Sequence, residues 1–183
     1  KLKINNQDIV FGFVGRWSDQ KDFQTLFKAF SFFRKKVKNS HTFKLLIIGK
    51  NINKKNKKLL KEISKYSLNN NMILIDETNS VNEILNVIDI GIFASKGNEG
   101  FPNVIAEKML TKIPCIVADV GDTQRIVGKS GWVYKKRNWI DLNKKIYQAY
   151  SNFILNKSNW NIKKNFSRKR IINYFSLKRM VDS

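Results

Sequence analysis

Two hydrophobic patterns alternate along most of the chain. Short apolar runs, typical of buried strands, occur at 9–14, 43–48, 72–75, 89–94, 114–118 and 131–134. Between them, apolar residues recur at three- and four-residue spacing, as in Phe23, Leu26, Phe27 and Phe30, which predicts helices. Strands that alternate with helices favour an α/β fold with a doubly wound parallel sheet. Ligands of such sheets bind beyond the carboxyl ends of the strands.

The helical pattern continues beyond the last strand and then weakens. Helices are predicted at about 23–37, 54–66, 81–88, 102–112, 124–127 and 140–150. The segment from Trp160 to Asp182 has sparse apolar positions and is predicted to form two polar helices. We therefore divide the chain into a sheet domain at 1–150 and a helical tail at 151–183.

Two glutamates flank the turn that follows the apolar run at 89–94. Between Glu99 and Glu107, Pro102 suits the first position of a helix, because its φ is already helical and it lacks an N–H. The amides of Asn103 and Val104 would then point out of the helix start, toward an anion. A phosphate site between two carboxylates, each of which accepts hydrogen bonds from hydroxyl groups, is suited to a sugar nucleotide. From the spacing alone, a loop carboxylate and a solvated helix carboxylate explain the two glutamates equally well.

A second charged element, Gly15 to Lys21, lies between the first strand and the first helix. Arg16 could hold phosphate oxygens with two parallel hydrogen bonds, and Lys21 would add a point charge. In so basic a chain this pair is a weak signal by itself. It gains weight because parallel strands bring it to the same sheet edge as Glu99.

The two elements together resemble the retaining group 1 glycosyltransferases of the GT-B fold, which include glycogen synthase-like and capsule or lipopolysaccharide enzymes. The C-terminal domain of that family carries a pattern often written EGFPNVxxEAMxxGxPVVAxDVG. This chain has EGFPNVIAEKM at 99–109 and IPCIVADVG at 113–121. The resemblance covers about 10–149 and implies the Rossmann-like, C-terminal half of a GT-B fold. It also implies a tail that crosses back onto an N-terminal domain.

The resemblance implies a role for each charged group. Glu99 would meet hydroxyls of the donor sugar and Glu107 the ribose hydroxyls, while Arg16 and Lys21 neutralise the donor diphosphate. The implied donor-binding set is Gly15, Arg16, Lys21, Glu99, Gly100, Phe101, Pro102, Asn103, Val104 and Glu107. Arg16, Lys21 and Glu99 would form its catalytic part.

The chain also departs from the family near this site. Asp22 stands where the family usually has glycine, and Arg125 where many relatives have glutamate, so no role is carried over to Arg125. Gly121, in the turn after the run at 114–118, would either allow close backbone approach to the pocket or simply form a tight turn.

The histidine and cysteine content limits the chemistry. His41, the only histidine, lies in a polar turn, and Cys115, the only cysteine, lies in an apolar run. We therefore expect no disulfide, no metal and no cofactor, with fixed cations in place of a metal.

The expected ligands are a nucleotide-sugar donor, with UDP as the nucleotide, and a glycan or lipid-linked acceptor. The acceptor would bind through an N-terminal domain, and we interpret this chain as a fragment that is inactive without it.

The net charge of +21 suits nucleic acid, anionic lipid or an acidic substrate. Lysine and asparagine are abundant throughout, however, and runs such as 54–58 are typical of solvated helix faces. No nucleic-acid recognition motif accompanies them, so no specific nucleic acid is expected.

Apolar runs are too short to span a bilayer and no signal peptide is present, which favours the cytoplasm, with peripheral contact to an anionic membrane as a further option.

Two other functions stay open. One is a non-catalytic basic module that binds nucleic acid or an anionic membrane. The other is a nucleotide-sugar epimerase on the GT-B fold. A Rossmann oxidoreductase is disfavoured, because the first predicted strand is not followed by a Gly-rich dinucleotide fingerprint.

Overall fold

The computed structural model describes residues 2–5, 7–37, 42–97 and 99–175, and its centre is a parallel β-sheet. The strands are β1 (Ile9–Val14), β2 (Phe43–Ile48), β3 (Met72–Ile75), β4 (Ile90–Phe93), β5 (Cys115–Ala118) and β6 (Trp132–Tyr134). Their order is β3-β2-β1-β4-β5-β6, and every neighbouring pair is parallel. The predicted α/β fold with a doubly wound parallel sheet is therefore confirmed.

Helices connect these strands. They are α1 (Phe23–Lys36), α2 (Lys57–Lys65), α3 (Val81–Leu85), α4 (Asn103–Leu110), α5 (Thr123–Val127), α6 (Trp139–Leu155) and α7 (Lys157–Tyr174). Helix α2 begins three residues after the predicted Lys54, because the Asn56 side chain caps it by accepting the Leu59 N–H at 3.1 Å. Helix α3 ends at Leu85, three residues before the predicted Ile88.

The strand order reverses between β1 and β4. From β1 the chain moves outward to β2 on one side, whereas from β4 it moves outward to β5 on the other. The carboxyl ends of β1 and β4 therefore border the crevice where doubly wound sheets bind ligands. The loop after β1 contains residues 15–22 and the loop after β4 contains residues 94–102, so both charged elements meet at this switch point.

A phenylalanine-rich core fixes one face of the sheet. The Phe11 ring lies 5.1 Å from the ring of Phe30 and 5.7 Å from that of Phe33, both in edge-to-face geometry. On the other face, a smaller cluster includes Val10 and Ile88. This division follows from the alternation of side chains along β1. The packed sheet gives the loops at its edge a rigid base.

The tail lies against the sheet domain as far as the structure describes it. Helix α6 continues through position 151, and only Asn156 separates it from α7. The Trp160 ring stacks on Trp132 at 6.2 Å, and the Phe175 ring lies 5.5 Å from Phe101. From Trp160 to Tyr174, the segment predicted as two polar helices lies in the single helix α7. The part of that segment after Phe175 lies outside the described residues, and contact between the tail and another domain stays a prediction. No described helix combines the length and apolar character needed to cross a membrane.

Candidate functional site

An ion pair joins the two charged elements at the switch point. The Lys21 Nζ lies 2.7 Å from the Glu99 Oε1, and the two side chains are only 17% and 14% exposed. Lys21 ends a short 3-10 turn after β1, and its ammonium lies 5.2 Å from the centre of the Phe93 ring on β4. The sequence predicted both residues for the site but did not predict that they contact each other.

Two uncharged side chains also hold the Glu99 carboxylate. Gln20 Nε2 donates to Glu99 Oε1 at 3.2 Å, and Ser95 Oγ donates to the same oxygen at 3.1 Å. The Gln20 backbone is tied to the β4 loop in turn, because its carbonyl accepts the Lys96 N–H at 2.8 Å. None of the described hydrogen bonds uses Glu99 Oε2. Sequence reasoning missed Gln20 and Ser95, since their role depends on the distant Glu99.

The start of helix α4 differs from the prediction by one residue. Pro102 is the N-cap, with φ −76° and ψ 95°, rather than the first helical residue. Proline fixes φ but leaves ψ free, so an extended ψ is compatible with it. Asn103 and Val104 become the first two helical residues, and their amides have no acceptor within the helix. The predicted pair of amides is therefore present at this helix start.

Arg16 and Glu107, the two other charged residues predicted for the site, are exposed, and none of the described hydrogen bonds or ion pairs joins either of them to Lys21 or Glu99. The backbone around Arg16 is fixed, because Gly15 N–H donates to the Ile48 carbonyl at 2.8 Å and Trp17 N–H donates to the Lys50 carbonyl at 2.9 Å. The Arg16 side chain is exposed and enters none of the hydrogen bonds or ion pairs found among the described residues. Glu107 is exposed one turn into α4. The site is thus an open, charged edge of the sheet.

Gly121 supports the loop that carries Glu99. Its φ is +51°, and a methyl group there would overlap the Glu99 carbonyl oxygen and lie 2.7 Å from the Gly100 carbonyl oxygen. The next residue, Asp122, donates its N–H to the Gly100 carbonyl at 3.2 Å. Gly121 thus lies in the tight turn that was one of its two predicted roles, and its backbone packs closely on that of Glu99 and Gly100; close approach to a ligand stays a prediction.

Asp22 keeps the backbone geometry that glycine would provide. Its φ of 39° and ψ of 47° place it in the left-handed region, which aspartate tolerates better than most residues. Its Oδ1 accepts the Thr25 N–H at 3.4 Å at the start of α1. Aspartate at position 22 therefore adopts the left-handed backbone that favours glycine, and its side chain caps α1.

Sequence reasoning also missed a buried cation, Lys108. It is fully buried, and its Nζ donates to the Ile92 carbonyl at 2.8 Å. Burial lowers the pKa of Lys108 to about 8. The spacing in the sequence could have indicated this burial. Position 108 lies three residues after Ile105, which is buried, and therefore on the inner side of helix α4.

The acidic and histidine side chains give no metal cluster in the described part of the chain. No three His, Cys, Asp or Glu residues there are grouped so that they could hold a metal ion. His41 lies outside the described residues. Cys115 is a buried free thiol, and burial raises its pKa to about 11.

The fold and its charged edge define the class of this domain. The six-stranded, doubly wound parallel sheet with its flanking helices matches the C-terminal, Rossmann-like domain of GT-B structures. The sequence profile of the glycosyl transferases group 1 matches residues 1–168, and the chain belongs to this family. No curated protein sequence matches it.

Several solved structures share the fold. A glycosyltransferase from Rickettsia africae has a TM-score of 0.85 and 21% identity, over 97% of this chain and 46% of that chain. Anabaena HepE in complex with UDP-glucose has a TM-score of 0.74 and 17% identity, over 91% and 45%. The lipopolysaccharide outer core galactosyltransferase WaaB has a TM-score of 0.75 and 19% identity, over 97% and 49%. The chain thus spans less than half the length of each.

Proposed function

We propose that this chain binds the nucleotide-diphosphate sugar of a retaining glycosyltransferase, with UDP as the nucleotide. The observation that carries the proposal is the Lys21–Glu99 ion pair, which places a cation and a hydroxyl acceptor together at the switch point. The first two residues of α4, which directly follow the loop that carries Glu99, add two amides without an acceptor in the helix. Anabaena HepE, which has the same fold, was solved with UDP-glucose.

The cationic groups would bind the diphosphate. Arg16 is exposed on a fixed backbone, Lys21 is held over the Phe93 ring, and the amides of Asn103 and Val104 lie at the positive end of α4. As the bond between the sugar and the diphosphate breaks, negative charge grows on the departing phosphate oxygens. Fixed donors of this kind stabilise that charge without reorganising. In this proposal they replace a metal ion.

The carboxylates would bind the hydroxyl groups. Glu99 Oε1 is already occupied by Lys21, Gln20 and Ser95, so Oε2 is the oxygen that accepts from the donor sugar. Glu107 lies one turn into α4, where it would accept from the ribose. Attack on the same face as the departing diphosphate, and hence retention, is what membership of the retaining enzymes would require.

We further propose a glycan or lipid-linked acceptor in the synthesis of a surface polysaccharide, of the lipopolysaccharide or capsule type. WaaB, which shares the fold, is a lipopolysaccharide galactosyltransferase. The acceptor would bind to an N-terminal domain, so the 183-residue chain is expected to bind donor without transferring sugar. Orientation of donor and acceptor contributes about 7–11 kcal/mol to such reactions. The charge of +21 suits a cytoplasmic location with peripheral contact to an anionic membrane.

Calorimetric titration with UDP at rising salt concentration tests the proposal. We expect UDP to bind more tightly than UMP, because the diphosphate is the focus of both charged elements. A chain that ignores UDP but binds nucleic acid or anionic vesicles, with affinity that falls steeply with salt, would instead be a basic binding module. A chain that interconverts UDP-sugars without an acceptor would be an epimerase.

A further inference from the structure

A buried ammonium group lies close to the proposed diphosphate site without taking part in it. Lys108 follows Glu107 on α4, but its side chain points toward the sheet and is fully buried. Its Nζ donates to the carbonyl of Ile92 on β4 at 2.8 Å. Fully buried lysines are rare unless they are paired, and this one has a backbone carbonyl as its described partner.

Gly91 makes room for this side chain. A methyl group at Gly91 would lie 3.0 Å from Lys108 Cδ and 2.6 Å from Cys115 Sγ. Gly91 and Phe93 point to the same face of β4, because side chains alternate along a strand. Phe93 is the residue whose ring lies 5.2 Å from the Lys21 ammonium. Lys108 and the Lys21–Glu99 pair therefore share one face of the sheet, with Phe93 on that face.

Three titratable groups act on Lys108 from the surrounding elements. Burial is the main reason that the pKa of Lys108 falls to about 8; Cys115 on β5 and Glu107 on α4 favour the ammonium, and Lys21 opposes it. Burial raises the pKa of Cys115 to about 11, so at pH 8 that thiol is neutral and adds no charge, which makes Glu107 the acidic neighbour that favours the ammonium at this pH. Lys108 thus changes charge close to neutral pH, near a site that is proposed to receive an anion.

We propose that Lys108 is a buried cation whose charge strengthens diphosphate binding without any contact with the ligand. Lys108 takes up a proton when the diphosphate binds. This inference rests on the proposed function. A bound diphosphate favours the charged ammonium across a region of low dielectric. The bound state then has the higher pKa, so the added affinity is complete below the pKa of the free protein and is lost as pH rises from that value through the higher pKa of the bound state.

The test is the pH dependence of UDP binding to the whole chain and to Lys108→Met. Methionine keeps a long, flexible side chain but cannot be charged. For the unaltered chain we expect affinity to fall about five- to tenfold between about pH 7 and pH 9. Lys108→Met should show only the smaller change that comes from the ligand itself. Lys144→Met, an exposed change on α6, should behave like the unaltered chain.

Proton uptake gives a second measurement. Calorimetry near pH 8 in two buffers of different ionisation enthalpy should show uptake for the unaltered chain and for Lys144→Met, but not for Lys108→Met. If Lys108→Met does not fold, NMR of the lysine side-chain carbons in the unaltered chain decides. One lysine should titrate near pH 8 and move to higher pH when UDP is added.

The outcomes separate the two proposals. Failure of UDP to bind the unaltered chain at any pH would overturn the proposed function. UDP binding with the same pH profile in the unaltered chain and in Lys108→Met would overturn only the role of Lys108. So would the absence of a lysine whose titration responds to UDP.

Discussion

The Lys21 ammonium and the Glu99 carboxylate meet at 2.7 Å across the point where the strand order reverses. The two residues are 78 positions apart in the chain. Each is mostly buried, so each satisfies the charge of the other in the free protein. A ligand whose phosphate contacted Lys21 and whose hydroxyl contacted Glu99 would compete with the contact that these two side chains make with each other. Several consequences can be measured.

Replacing Arg16 and Lys21 should weaken UDP binding to different extents. Arg16→Ala should cost about 1.5–3 kcal/mol of binding, the range for a charge-assisted hydrogen bond, and Lys21→Ala somewhat less. Only Lys21→Ala should also lower the melting temperature, because it leaves the Glu99 carboxylate, 14% exposed, without its cation. Calorimetry and thermal denaturation measure the two effects, with Lys144→Ala as the control. Unchanged UDP binding in the double variant would contradict the diphosphate assignment.

Glu99→Gln should separate UDP from a UDP-sugar. The change removes the charge that competes with phosphate for Lys21, so UDP should bind equally well or slightly more tightly. A UDP-sugar should bind more weakly, since glutamine is a poorer acceptor for a sugar hydroxyl. Parallel titrations with UDP and UDP-glucose measure the difference. Equal losses for both ligands would show that Glu99 mainly supports the loop.

Glu107→Gln should weaken ligands that contain ribose. The side chain is exposed and glutamine is a good helix former, so the fold should be unaffected. We expect UDP to lose about 1.5–3 kcal/mol of binding, while inorganic pyrophosphate binds as before. The measurement is competition calorimetry with the two ligands. A loss shared by both would argue against contact with the ribose.

Gly121 and Gly100 lie on the two sides of one contact between loops, so Gly121→Ala and Gly100→Ala form a matched pair of variants. A methyl group at 121 would overlap the Glu99 carbonyl oxygen in a left-handed backbone, whereas one at 100 would have no neighbour within 4 Å. We expect Gly121→Ala to destabilise the chain by about 1–3 kcal/mol and to weaken UDP binding. Gly100→Ala should keep its folding stability. Denaturant unfolding checks both variants, and similar stabilities would mean that the two loops are not in contact.

UDP binding should survive EDTA. The proposed site supplies its own cations in Arg16 and Lys21, together with the amides at the start of α4. Titrations with EDTA, magnesium and manganese should give affinities within about threefold of one another, a difference of under 1 kcal/mol. A strict requirement for either ion would count heavily against the proposal.

The sequence by itself determined the order of elements and the edge of the sheet at which the two charged loops meet. Continuous apolar runs for strands and apolar positions with period 3.6 for helices are local properties, and parallel strands bring their following loops to one edge of the sheet. These local patterns did not determine the residue at which each helix begins. Asn56 at the start of α2 and Pro102 before α4 are decided by side-chain capping and by ψ, which periodicity does not reveal.

Only the tertiary structure decided which charges contact each other and which are buried. Lys21 finds Glu99 through two loops from non-consecutive strands, and no spacing along the chain encodes that distance. Lys108 is buried because Gly91 on β4 leaves room for its stem, whereas most lysines on helices of this chain lie at the surface. Electrostatic partners and burial depend on packing between distant segments, whereas the hydrophobic pattern depends on neighbours within a few residues.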